Sequence, residues 1–95
     1  MHKIPVVSTD EKLNEVIRLE CAGSGGELTP LFFSNTEDVI EFLKYELPEM
    51  KIFYFSDRQV DCMAIFKEIQ EDPWLHYGGI IGIHDIVDDI HMEGK

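Results

Sequence analysis

A chain of 95 residues makes one domain, spanning 1–95, with 44% hydrophobic residues for a core. Nineteen acidic residues against eight basic ones give a net charge of −11, which repels phosphate backbones and anionic lipid and so excludes nucleic acid and membrane surfaces as expected partners. Cys21 and Cys62 lie far apart, in no metal-ligand spacing and each on an apolar helical face, and read as reduced, buried thiols. The start Met-His-Lys-Ile-Pro lacks the apolar region of a signal peptide, and no run approaches the roughly 18 apolar residues of a membrane span. The chain therefore reads as soluble and cytoplasmic.

Ile4 to Val7 is a short apolar run and predicts a first strand, although Pro5 fits a central strand poorly. Ser8 and Glu11 stand at capping-box spacing and predict a helix whose apolar face is Leu13, Val16, Ile17 and Cys21. The loop Ala22 to Gly26 follows that helix; phosphate-cradling loops instead follow a strand and end in Lys-Ser/Thr, so it reads as a plain connection. Leu28 to Phe33 predicts a second strand, with Pro30 marking it as an edge. Ser34 to Glu37 caps a second helix that buries Val39, Ile40, Leu43 and Leu47 and stops at Pro48.

Lys51 to Ser56 predicts the third strand, apolar on both faces through Ile52 to Phe55 and leading into Asp57. Such a doubly buried strand belongs to a parallel sheet covered by helices on both sides. Cys62, Met63, Phe66 and Ile69 recur at helical spacing up to Glu71-Asp72-Pro73. Trp74 to Tyr77 is an aromatic loop in which Trp74 is expected to cover the core. Gly79 to Ile83 predicts a fourth strand, Ile86, Val87 and Ile90 a short last helix, and Met92 to Lys95 a tail. Four strands alternating with helical segments of crossover length predict a parallel α/β sheet, a three-layer sandwich of flavodoxin-like form.

In such a sheet the chemistry lies beyond the carboxyl ends of the strands. Ser8, Thr9 and Asp10 follow the first strand, Ser56 and Asp57 the third, and His84 and Asp85 the fourth. A carboxylate pair on that rim has the chemistry to hold a hard cation such as Mg²⁺. The same residue types also serve as helix caps. His84, Asp88 and His91 could share a helical face, a spacing that a transition metal can use.

Several stretches resemble the receiver domain of response regulators in two-component systems. They are Lys3-Ile4-Pro5-Val6-Val7 with its polar cluster, Ile52 to Asp57, Ile65 to Pro73, and Gly79 to Ile83. The resemblance covers nearly the whole chain and is one of pattern. It implies a phosphorelay role in signal transduction, with Asp57 as phosphoacceptor. It also implies Mg²⁺ held by Asp10, Asp57 and the backbone carbonyl of Gln59, and a switch position at His84. The implied partners are a histidine kinase or an output domain. The sequence departs from the family in several ways: only Asp10 remains of the acidic pair, no hydroxyl ends the fourth strand, the loop after Asp57 is shorter and lacks the family's proline and Asp-Gly turn, and the fifth strand, its lysine and the fifth helix are missing. These departures imply a degenerate, or pseudo-receiver, domain and leave the fourth strand as an open edge that invites a homodimer or a continuation in a longer chain.

The resulting expectation is a receiver-like signalling module that is not an enzyme and acts by docking a partner, with Asp57 as the candidate phosphoacceptor. A non-phosphorylated structural or oligomerisation domain is the alternative. A small phosphocarrier enzyme using Cys62 or Asp57 is a third reading.

Overall fold

The computed structural model describes residues 2–75 and 77–85. Seven elements follow one another: β1 (His2–Val7), α1 (Glu11–Ala22), β2 (Leu28–Phe33), α2 (Thr36–Glu46), β3 (Met50–Tyr54), α3 (Cys62–Glu71) and β4 (Gly79–Ile83). The strands form one sheet in the order β2-β1-β3-β4, and all three pairings are parallel. This is the flavodoxin-like order without a fifth strand among the described residues. The expected last helix and tail, and with them Asp88 and His91, lie outside the described residues.

Strand alternation divides the core in two. Val7 and Phe53 face α2 and α3 and pack with Val39, Leu43, Ile65 and Ile69. Ile4 and Val6 face α1 and pack with Ile17 and Cys21. The sheet is thus the middle of three layers. Pro30 sits on the edge strand β2, where its missing N–H costs no ladder bond on the outer side. Both cysteines are free and buried.

Several local expectations are corrected. The N-cap of α1 is Asp10, whose carboxylate accepts from Leu13 N, while Ser8 Oγ accepts from Asp10 N. Hence Ser8 and Glu11 do not form a capping box; the acceptor lies closer to the first turn. Val16 and Met63 are exposed, so the buried stripes of α1 and α3 are narrower than their apolar content. Leu47 is not helical: it takes a left-handed conformation (φ 45°) as the C-cap of α2, ahead of Pro48. Trp74 is 57% exposed, its indole donating to Lys44 O, and it is Leu75 that plugs the core.

β3 ends at Tyr54, and Phe55 and Ser56 already turn away. Phe55 N still donates to Ile83 O at 2.8 Å, so the ladder extends one rung past the strand. The Phe55 ring is then free to swing over Gly82, packing edge-on against Phe53 and Phe66. A Cβ at Gly82 would lie 2.7 Å from that ring. The glycine is therefore a requirement of the close approach, and it shapes the rim next to Asp57.

Candidate functional site at the carboxyl ends of the strands

The rim predicted from the sequence exists. Thr9, Asp10, Tyr54, Ser56, Asp57, Arg58, Gln59 and Asp85 line an open cleft of about 330 Å³ at the carboxyl ends of β1, β3 and β4. Three carboxylates face one guanidinium there, so the cleft is negative.

Asp57 stands three residues beyond the end of β3, in the turn that leads to α3. Its N–H donates to Tyr54 O at 3.2 Å and closes that turn. Its carboxylate is occupied. Oδ2 accepts from Thr9 N at 2.5 Å, Thr9 Oγ1 donates to both oxygens at 2.9 Å, and Oδ1 also accepts from Gln59 N at 2.8 Å and Val60 N at 3.1 Å. One side chain thereby joins the loop after β1 to the loop after β3. Val60, which it orders, is buried in the core just before α3, whose N-cap Asp61 accepts from Ala64 N. Burial pushes the Asp57 carboxyl up, but the donors from Thr9, Gln59 and Val60 together outweigh burial and hold it below the ordinary aspartate range.

A second tie closes the other side of the cleft. Tyr54 Oη donates to Asp85 Oδ1 at 2.6 Å, and Asp85 N donates to Ser56 Oγ at 2.8 Å. The hydrogen bond to Asp85, with burial and the negative charges of Asp85, Asp10 and Asp57, pushes the Tyr54 phenol up to about 12. It stays protonated and a donor across the neutral range.

Asp10, Asp57 and Gln59 are thus brought together as the sequence predicted. His84 is not: its exposed ring stacks on Phe55, centroids 5.1 Å apart and planes 20° apart, and it does not line the cleft. Sequence reasoning missed Tyr54, which reads as one more apolar residue of the third strand, and Arg58. It placed Thr9 on the rim without seeing it as the partner of Asp57; a hydroxyl immediately before an N-cap aspartate was the available signal.

A hard cation at this rim would have to displace donors that the Asp57 carboxylate already holds. A carboxylate offers about four lone-pair positions, and those of Asp57 already meet four donor groups. Asp10 Oδ1 is committed to Leu13 N. Among the described residues no three His, Cys, Asp or Glu side chains converge closely enough to hold a metal ion. Cys62 is no better placed as a nucleophile. Burial, then the negative charges of Asp57 and Asp61, push its thiol up to about 11, leaving little thiolate at neutral pH.

The parallel order β2-β1-β3-β4 with helices on both faces is a receiver-like α/β fold. The structure is similar to the NMR structure of the pseudo-receiver domain of the CikA protein, with a TM-score of 0.68 over 99% of this chain and 78% of that one, at 11% sequence identity. No protein-family model matches the chain, and no curated protein matches it. No helix among the described residues is long and apolar enough to cross a membrane.

Proposed function

We propose that this domain is a pseudo-receiver signalling module. It acts by docking a partner protein, a histidine kinase or an output domain, and Asp57 serves it as a structural staple rather than as a phosphoacceptor. The observation that carries this reading is the occupancy of the Asp57 carboxylate by Thr9, Gln59 and Val60. A phosphoacceptor needs a free oxygen as nucleophile and a cation or ammonium to take up the charge that arrives. Here the oxygens hold backbone and the Thr9 hydroxyl, and around them Asp10 and Asp85 add two negative charges against the one positive charge of Arg58.

The test is a titration with beryllofluoride and Mg²⁺ read by NMR amide shifts. The expected result is no specific shift at Asp57, Gln59 or Asp10. Saturable shifts centred on those residues would overturn the proposal and make Asp57 the phosphoacceptor of a working switch. The openness of the cleft beside Asp10 supports that second reading.

A further inference from the structure

The two faces of the sheet are unequally covered. α2 and α3 lie on one face, whereas among the described residues α1 alone packs on the other. Register puts Met50 beside Gly79, Ile52 beside Ile81 and Tyr54 beside Ile83, so these residues share the α1 face. Toward β4 nothing among the described residues covers that face: Met50 is 39% exposed, Ile81 44%, and Val16 on the flank of α1 55%. Between α1 and strands β3 and β4 runs an apolar groove of about 360 Å³, its floor made by Met50, Ile52 and Ile83 and its wall by Leu13, Val16 and Ile17.

Among the described residues the edge beside the groove, β4, pairs with no further strand. β4 reads Gly-Ile-Ile-Gly-Ile, without a charge or a proline, whereas the opposite edge strand carries Pro30. Among the described residues the far face of the sheet carries two helices and this face one, so by symmetry of cover a further helix, about 10 Å across, suits this face. Charge decides what kind. Glu20 is the one charged residue lining the groove, and the chain as a whole carries −11. A second copy would bring like charge to like.

From this we infer that the α1–β4 face docks a single amphipathic helix of a partner protein. That helix lays an apolar stripe on Met50, Ile52, Ile81 and Ile83 and turns lysine or arginine toward Glu20. The inference deepens the docking role proposed above by giving it a surface and a partner chemistry.

The test uses a labelled Leu/Lys peptide of about 18 residues, long enough to form an amphipathic helix, and a matched Leu/Glu peptide. The Leu/Lys peptide is expected to shift the amides of Val16, Ile52 and Ile81 and to bind less tightly as salt rises; the Leu/Glu peptide is expected not to bind. Val16→Glu and Ile81→Glu, both at exposed positions, should each weaken binding about tenfold or more, while Tyr45→Glu, on α2, should leave it unchanged. Shifts spread over the acidic surface and indifferent to Val16→Glu would overturn the proposal, as would no binding at all. A dimer in sedimentation that Val16→Glu dissociates would give the face to a second copy. Shifts of the same amides in free Ile90→Glu would give it to residues 86–95, and either outcome overturns the partner helix. Asp57 takes no part in this assay, so its failure and a positive beryllofluoride response are separate results.

Discussion

Replacing Asp57 by alanine distinguishes a staple from a reactive acid by the sign of the stability change. A reactive carboxylate kept among other negative charges is a site of stored repulsion, and removing it leaves a protein as stable or more so. A staple behaves in the opposite way. In Asp57→Ala, four donor groups lose their acceptor. Gln59 is exposed and its N–H turns to water at little cost. Thr9 N–H, Thr9 Oγ1 and the N–H of buried Val60 are less easily hydrated. A buried donor left unsatisfied costs about 1–3 kcal/mol, and partial access to the cleft puts the sum near the low end, at about 2–3 kcal/mol. Relief of repulsion from Asp10 and Asp85 offsets well under about 1 kcal/mol in an open, screened cleft. The net loss of about 2 kcal/mol lowers the melting temperature of a domain this size by about 8–16 °C.

Urea unfolding with an unchanged m-value is the assay. pH supplies an internal control. The folded carboxyl is held below its unfolded value of about 3.9, so its stabilisation is fully present above that value and is lost as pH falls through the folded one. The gap between wild type and Asp57→Ala should therefore be constant from about pH 5 to 8 and close below about pH 4. An Asp57→Ala protein as stable as wild type at pH 7 would refute the reasoning.

Three further outcomes are expected. Tyr54, raised to about 12 first by its hydrogen bond to Asp85, should ionise only near that pH in an ultraviolet titration. Because its folded value lies above the unfolded one, its contribution to stability is present below about pH 10 and lost as pH rises toward 12, and Asp85→Asn should bring its midpoint down toward 10. Lys51 is wholly buried in β3, its ammonium donating to Tyr77 O, and burial lowers its pKa. The folded state thus binds fewer protons there, so wild type should gain on Lys51→Met as pH rises toward about 10.4, measured by paired denaturation curves; a gap that does not change with pH counts against a charged, buried amine. Gly82→Ala should cost about 1–3 kcal/mol by driving the Phe55 ring off its seat, and the His84 ring resonances, stacked on Phe55, should move with it.

The layers and the parallel sheet were legible because β-branched and aromatic runs alternate with amphipathic segments, and two-sided burial leaves its mark on every residue of a strand such as Ile52 to Tyr54. Edge position was legible at Pro30, where one missing N–H restricts the choice. Interior stripes were overread at Val16 and Met63, because periodicity gives the phase of a helix but not how much sheet lies beneath it. The site was legible as a set of positions and illegible as a set of bonds. That Asp57 would lie on the rim follows from the strand that precedes it. That its oxygens would hold Thr9, 48 residues away in sequence, depends on the register of β1 against β3, which no local pattern encodes.

Thr9 is the residue on which the character of the rim turns. An acid at that place would repel Asp57, and the pair would need a cation between them to coexist. A hydroxyl beside a free N–H does the reverse: it gives Asp57 two donors from one residue and removes the need for a metal. The β1–α1 and β3–α3 loops are then joined by protein donors. On the proposed reading of Asp57 as a staple, a ligand at that carboxylate would first have to displace the Thr9, Gln59 and Val60 donors before it could select a second arrangement. On the proposal above, the responsive surface is instead the flank of β3 and β4 beside α1, where Met50 and Ile81 are exposed. There the proposed partner helix would change their burial directly, without any signal crossing the sheet.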